Sequence, residues 1–149
     1  MRAEKLLKLL QEHKVIFVII GATAFPVHGY SRATLDIDIF IKPDHKNARK
    51  TWVALRSFGY NLMDLTPDDL LKKKTLIRQY TVETDIHPFV KGITFKTIWG
   101  NRIKAKFGKT NAYFASLKDL IKMKKAAGRP QDLSDLKFLK KINRIKKKK

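Results

Sequence analysis

The sequence contains no cysteine, which excludes disulfide bonds and cysteine-based metal sites. It also lacks a long apolar segment, because the longest unbroken run, Val15 to Ile20, falls far short of the roughly 20 residues that a membrane-spanning helix requires. Neither a signal peptide nor a membrane span is indicated, so we expect a cytoplasmic protein without a membrane partner. No internal repeat or linker interrupts the 149 residues, which suit one domain with its own core.

Acidic residues are scarce, since 13 Asp and Glu stand against 33 Lys and Arg and leave a net charge of +20. Eight of the last thirteen residues are Lys or Arg, and the rest of the chain still carries +12. A basic excess spread in this way favours attraction to a polyanion and does not distinguish RNA from DNA. We predict a domain of residues 1–142 followed by a basic, disordered tail of residues 143–149.

The apolar run that begins at Val15 is rich in β-branched residues and stops at Gly21, which predicts a buried strand followed by a tight turn. A helix over residues 23–28 is expected to follow. Ala22 presents almost no side chain, so the free N–H groups at the start of this helix can face an anionic phosphate, and Thr23 can add a hydroxyl. The alternative is a turn with a structural role alone.

A second apolar strand carries Asp36-Ile37-Asp38. Residues at i and i+2 of a strand point to the same side, so Asp36 and Asp38 project together while Ile37 faces the core. Two adjacent carboxylates repel unless a hard cation such as Mg²⁺ lies between them. A solvated strand face is the alternative, but a glycine turn and an acidic pair together are much rarer than either feature alone.

The pattern Gly21-Ala22, His28-Gly29, Arg32 and Asp36-Ile37-Asp38 resembles the signature of the minimal nucleotidyltransferases of the DNA polymerase beta-like superfamily. The likeness extends in particular to small bacterial nucleotidyltransferase-like proteins related to abortive-infection toxins. In that superfamily a Gly-Gly or Gly-Ser turn precedes Asp-x-Asp by about a dozen residues, and here thirteen residues separate the two motifs. Ala22 departs from the pattern because it lacks the serine hydroxyl, which implies a phosphate contact that is either weaker or made by the backbone alone.

The resemblance, which covers residues 3 to 142, implies an α/β (α+β) fold with a small mixed sheet of three to five strands flanked by helices. It implies transfer of a nucleoside monophosphate from a nucleoside triphosphate, such as ATP, to a hydroxyl acceptor, with two Mg²⁺ or Mn²⁺ ions as cofactors. The acceptor would be an RNA end, such as that of tRNA, or a protein hydroxyl, and an antitoxin-like partner protein would fit the same branch. The alternative from another class is a non-catalytic, basic RNA- or protein-binding module on this fold.

A third carboxylate is implied on a later strand, and Asp85 is the candidate. Residues 80–87 have strand composition, with Glu83, Asp85 and His87 on one face. Glu83 competes for the role, but Asp85 is followed by an apolar residue, as in the related proteins. We therefore expect Asp36, Asp38 and Asp85 to be catalytic and to bind metal. His87 would touch a metal-bound water or phosphate, or simply close the strand.

The C-terminal third resembles the same branch. Gly128 and Pro130 separate two helices, the first of which starts at an N-cap, Ser116. In the related proteins a lysine, an Arg-Pro-x-Asp motif and a second aspartate recur as a unit beside the active site. We interpret Lys124 as a phosphate contact. The members of the accompanying buried polar cluster would be Arg129, Asp132 and Asp135. A capped surface helix pair without a chemical role is the alternative.

The nucleotide-binding residues expected from these patterns are Gly21, Ala22, Thr23, Arg32 and Lys124. Arg32 would hold a carboxylate or contact a phosphate with two hydrogen bonds. His28 would face the nucleotide or, as we favour, pack the turn at Gly29.

The remaining elements follow from periodicity and capping residues. We predict helices over residues 3–12, from Pro43-Asp44 to a C-cap at Gly59, over residues 66–71, and a helical turn over residues 94–99. Residues 102–107 and 111–114 have strand composition.

Overall fold

The computed structural model describes residues 2–31, 36–79 and 82–147. Its helices are α1 (Arg2–Glu12), α2 (His45–Phe58), α3 (Phe95–Gly100), α4 (Leu117–Ala127) and α5 (Pro130–Lys147). Its strands are β1 (Phe17–Ile20), β2 (Asp36–Ile41), β3 (Thr75–Ile77), β4 (Glu83–His87), β5 (Ile103–Phe107) and β6 (Thr110–Phe114). Segments Gly21–His28 and Pro67–Leu71 form 3₁₀ helices.

Within these described ranges, six strands form one mixed sheet in the order β3-β4-β2-β1-β6-β5. β1 is antiparallel to β2 and parallel to β6, β2 is parallel to β4, and the edge strands β3 and β5 are antiparallel to their neighbours. The predicted α/β class, a small mixed sheet flanked by helices, is confirmed. The predicted upper limit of five strands is wrong by one, because β3 has only three residues and is too short to show an alternating pattern.

The sheet is central to the core. All four residues of β1 are buried, which explains why its sequence is continuously apolar rather than alternating. From α1, the side chains of Leu6, Leu7 and Leu10 are fully buried, and Leu9 is partly buried against the same core. The helix predicted over residues 3–12 is therefore present, and its leucines form the face that packs on the sheet.

Capping residues fix the helix ends where the sequence predicts them. The Asp44 side chain accepts from the N–H of Asn47 at the start of α2, and Gly59 ends that helix with φ +114°. Ser116 accepts from the N–H of Asp119 in the same way at the start of α4. The segment predicted as a helix over residues 23–28 is helical but of the 3₁₀ type, and it contains Pro26, whose missing N–H disfavours an α-helix.

α5 continues to Lys147, so residues 143–147, the first part of the predicted tail, are helical here. The division into a domain of residues 1–142 and a tail stays a prediction. Among the helices of the described ranges, none combines the length and the apolar character that crossing a membrane would require.

Candidate functional site

The parallel pair β2 and β4 places four carboxylates on one face of the sheet. In the register of these strands, Asp36 lies opposite Glu83 and Asp38 lies opposite Asp85. Because alternate residues of a strand share a face, all four side chains point to the same side, while Ile37 and its neighbours on the other face are buried. The two acidic segments, distant in sequence, are therefore brought together by strand pairing.

Asp38, Asp85 and His87 form a compact group with the chemistry of a metal site. Taking one ligand atom from each residue, these atoms all lie within 4.8 Å of one another. His87 Nε2 lies 2.8 Å from Asp38 Oδ1, and the Asp85 side chain is only 7% exposed. Two carboxylates and an imidazole suit a divalent cation such as Mg²⁺ or Mn²⁺, so these residues fit the ion and would hold it.

Asp36 has different neighbours. Arg78 lies between the carboxylates: its Nη1 donates to Asp85 Oδ1 at 2.6 Å, its Nη2 lies 3.7 Å from Asp36 Oδ2, and its Nε lies 3.7 Å from Glu83 Oε2. A hydrogen bond with Asp36 raises the pKa of Glu83, and burial raises it further. The hydrogen bond to Asp85 raises the pKa of Arg78. Asp36 is therefore part of a group with Glu83 and Arg78, next to the group formed by Asp38, Asp85 and His87.

The glycine turn after β1 lies directly against the acidic group. Gly21 has φ +68°, and a Cβ at this position would lie 2.5 Å from Asp38 Oδ2, so only glycine permits the approach. Ala22 follows and is buried. The first turn of a helix has N–H groups without intrahelical partners, and here that turn opens beside Asp38. The geometry suits an anionic group held next to a carboxylate of the candidate metal site.

Three further residues were predicted for the nucleotide site: Thr23, Arg32 and Lys124. The Thr23 hydroxyl donates to the backbone oxygen of Asp36 at 3.2 Å, which fastens the start of β2 to the 3₁₀ helix. Arg32 lies outside the described residues. His28 is buried, and its Nε2 lies 2.9 Å from the Ala115 carbonyl oxygen, in agreement with the packing role that we favoured.

Helices α4 and α5 meet through a buried ionic cluster, here called the α4–α5 cluster, of Lys124, Arg129, Asp132 and Asp135. Lys124 Nζ lies 3.0 Å from Asp132 Oδ1 and 3.2 Å from Asp135 Oδ2. Arg129 Nε donates to Asp132 Oδ2 at 2.7 Å, although the Arg129 side chain is 72% exposed. Both carboxylates are almost fully buried. The polar cluster predicted at this junction is present and both aspartates are buried, but the expectation that Arg129 is buried is wrong, because Arg129 lies between the end of α4 and the start of α5. Lys124 lies at the centre of the cluster.

The charges of the cluster are mutually stabilising. Burial alone would raise the pKa of Asp132, but hydrogen bonds from Arg129 and Lys124 outweigh that effect and lower the pKa to about 2. The hydrogen bond with Asp132 raises the pKa of Arg129, and the negative charge of Asp38 raises it by a smaller amount. Arg129 therefore lies in the electrostatic field of the acidic group as well as in the α4–α5 cluster.

A cleft of about 500 Å³ connects these parts. Its lining comes from the glycine turn, β2, β3 with its flanking residues, β4, the end of α4 and the start of α5. It comprises Gly21, Ala22, Asp36, Asp38, Lys74, Leu76, Arg78, Asp85, His87, Lys124, Arg129, Pro130, Gln131 and Asp132. A hollow of about 560 Å³ lies at the opposite ends of β1 and β2, beside Phe95 and Trp99. The one carboxylate that lines this hollow, Asp44, caps α2, so we place the candidate functional site in the first cleft.

The chain matches, over residues 1–148, the family DUF6036, described as a nucleotidyltransferase of unknown function. The protein belongs to this nucleotidyltransferase family. The resemblance to nucleotidyltransferases is thus confirmed at the level of the family. No curated protein matches the sequence.

Two basic residues in the cleft of this DUF6036 family member, Lys74 and Arg78, were not anticipated from the sequence. Both flank β3, a strand whose three residues give no periodic signal. The available clue was the density of basic residues just before the strand that carries Asp85. His87 was recognised as sharing the face of Asp85, and the structure adds its contact with Asp38.

Proposed function

We propose that the protein catalyses metal-dependent transfer of a nucleoside monophosphate from a nucleoside triphosphate to a hydroxyl acceptor. One observation carries the proposal: the Gly21 turn opens against Asp38 in the cleft that also holds Asp85 and His87. A phosphate-binding turn and a group of metal ligands are the two parts that phosphoryl transfer requires, because its catalysis consists mainly of positioning and charge neutralisation.

The cofactor in this proposal is Mg²⁺ or Mn²⁺, held by Asp38 and Asp85 with His87, while Asp36 completes the acidic face. When bound, such an ion neutralises charge on the triphosphate and helps to align the reacting oxygens. The 2.8 Å contact between His87 Nε2 and Asp38 Oδ1 keeps these two candidate ligands side by side.

The triphosphate would be gripped from two sides. The N–H groups at Gly21 and Ala22 form one side, and Arg129, largely exposed on the cleft wall, forms the other. Lys124 also lines the cleft, but its ammonium is already held by Asp132 and Asp135. We therefore assign Lys124 an indirect role, in which it positions Arg129 and the start of α5 beside the phosphate. A direct contact between Lys124 and a phosphate would compete with its ion pairs to those two carboxylates.

In the reaction, the acceptor hydroxyl oxygen forms a bond to the α-phosphorus, and the bond from that phosphorus to the bridging oxygen breaks. Pyrophosphate leaves, and the hydroxyl proton passes to a carboxylate. We assign this last role to Asp85, because it is buried beside Asp38 and lines the cleft. Arg129 and the backbone N–H groups stabilise the negative charge of the leaving pyrophosphate.

An RNA end, such as that of tRNA, is the acceptor that the charge of the protein favours. α5 begins at the cleft and carries exposed basic residues along its length, among them Lys137, Lys140 and Lys141. A basic helix leading away from the site suits a phosphate backbone. A protein hydroxyl is the competing acceptor. Membership of the abortive-infection-toxin branch, an antitoxin-like partner and a cytoplasmic location belong to the same proposal.

The test is incubation of the protein with each radiolabelled nucleoside triphosphate, Mg²⁺ or Mn²⁺, and total RNA or total protein. We expect a labelled acceptor with the unmodified chain and none with Asp38→Asn. Asp64→Asn, which removes the same charge from an exposed position outside the cleft, is the matched control and should retain labelling. Labelling that persists in Asp38→Asn would contradict the assignment. RNA binding that survives Asp38→Asn and weakens steeply with salt, without transfer under either ion, would favour a binding module.

A further inference from the structure

Arg78 is placed in the cleft by its backbone. β3 is antiparallel to β4, with Leu76 opposite Asp85 and Ile77 opposite Thr84. Carried one residue further, the same register sets Arg78 opposite Glu83. Because alternate residues share a face, Arg78 and Leu76 point to the side of the sheet that bears the carboxylates, and both line the cleft.

The guanidinium has three nitrogens next to three carboxylates. Nη1 is 2.6 Å from Asp85, Nη2 is 3.7 Å from Asp36 and Nε is 3.7 Å from Glu83. A guanidinium keeps its charge at every pH that a protein tolerates, so this positive charge is permanent.

We propose that Arg78 takes the place of a second metal ion, so that this site binds one divalent cation, at Asp38, Asp85 and His87. The proposal rests on the proposed function and departs from the two-ion site that the family resemblance implies. A divalent ion placed between Asp36 and Asp85 would lie in contact with the guanidinium, and like charges at such distances repel strongly at the reduced dielectric of a half-buried cleft.

The structure thus divides the acidic face into two halves with different roles. Asp38, Asp85 and His87 offer ligand atoms within 4.8 Å of one another and form the ion-binding half. Asp36 and Glu83 are balanced by Arg78 and form the half that needs no ion. Asp85 belongs to both halves, because its Oδ1 accepts from Arg78 and its carboxylate also offers a ligand atom to the ion-binding half. Arg78 is in this proposal a positioning residue that keeps Asp85 aligned for the ion.

The test counts ions bound by the free protein. Mn²⁺ is titrated into the full chain without nucleotide, and the unbound fraction is followed by electron paramagnetic resonance. We expect one Mn²⁺ for the unmodified chain and two for Arg78→Gln, which removes the charge at similar size. The second ion should bind at least about tenfold more tightly than any second event in the unmodified chain. Arg49→Gln, an exposed arginine of α2 outside the cleft, should bind one ion.

The number of Mn²⁺ ions bound by the unmodified chain tests the proposal even if Arg78→Gln fails to fold. Two ions bound by the unmodified chain would overturn the role of Arg78 and leave the proposed function standing. One ion of unchanged affinity in a folded Arg78→Gln would overturn it as well, since Arg78 would then be structural or a phosphate contact. Zero ions in both proteins would overturn this proposal and the metal-dependent function together.

Discussion

Replacing Lys124 by methionine tests how strongly the α4–α5 cluster stabilises the fold. The methionine keeps the length of the side chain and removes the ammonium that lies 3.0 Å from Asp132 and 3.2 Å from Asp135. Both carboxylates are buried, and Asp135 would keep its hydrogen bond from the Tyr30 hydroxyl, while Asp132 would keep Arg129. Removing one partner of a buried ion pair leaves uncompensated charge, which costs about 3–5 kcal/mol of the free energy of unfolding.

The measurement is urea denaturation at pH 7, followed by circular dichroism. We expect a lower transition midpoint at an unchanged slope, since the surface exposed on unfolding stays the same. In a chain of this size each 1 kcal/mol lowers the melting temperature by about 2–4 °C, so a loss of about 3 kcal/mol is readily resolved. Lys125→Met, an exposed neighbour on the same helix, is the control and should change stability by at most about 0.5 kcal/mol.

The loss of stability caused by Lys124→Met should also depend on pH. Asp132 has its pKa lowered from 3.8 to about 2 in the folded chain, so its contribution to stability is fully present above about 4 and is lost as the pH falls toward 2. Without Lys124 the Asp132 carboxylate protonates more readily, and the difference in stability between the two proteins should shrink over that pH window. The same substitution combined with Asp132→Asn and Asp135→Asn should recover part of the loss at pH 7. A difference below about 1 kcal/mol at pH 7 would refute the reasoning that the cluster is buried and mutually dependent.

Gly21→Ala introduces a Cβ 2.5 Å from Asp38 Oδ2 and should weaken Mn²⁺ binding by at least about tenfold. Gly29→Ala, at φ +92° with no atom within 4 Å of the added Cβ, is the control for backbone strain alone. Equal Mn²⁺ affinities in the two variants would contradict the role of the contact with Asp38. Burial lowers the pKa of His28, despite its backbone hydrogen bond, so stability should fall as the pH drops below 6.5. His28→Gln should flatten the pH dependence of the urea midpoint between pH 7 and pH 5, and an unchanged slope would refute this assignment. Asp44→Ala removes the N-cap of α2 and should cost about 1 kcal/mol by urea denaturation, while a change below about 0.3 kcal/mol would show that the cap is dispensable.

Local chemistry made much of the fold predictable. The caps at Asp44, Gly59 and Ser116 mark helix ends because the hydrogen bonds that satisfy a helix terminus lie within a few residues of it. The glycine turn and the acidic strand were identified for the same reason, since period-two alternation fixes which side chains share a face. The sharing of one face by Glu83, Asp85 and His87 required no knowledge of the tertiary structure.

The remaining features depend on pairing between distant segments. No local sequence pattern predicts that Asp38 lies opposite Asp85 or that Asp36 lies opposite Glu83. The register of two strands is set by the packing of the whole sheet. Arg78 was missed because it follows a strand of three residues at the sheet edge. Lys124 was interpreted from its position near the motif, and its burial against two aspartates became visible only with the helices in place.

The parallel pairing of β2 with β4 brings the acidic residues of the site together only when the sheet assembles in the correct register. A slip of one residue in β2 would turn Asp38 into the interior and expose isoleucine to water, and a charge without a partner in that interior costs several kcal/mol or more. A misassembled yet stable molecule is therefore not a realistic competitor of the native one. In any purified sample, the proportion of chains able to bind Mn²⁺ should equal the proportion that melts cooperatively.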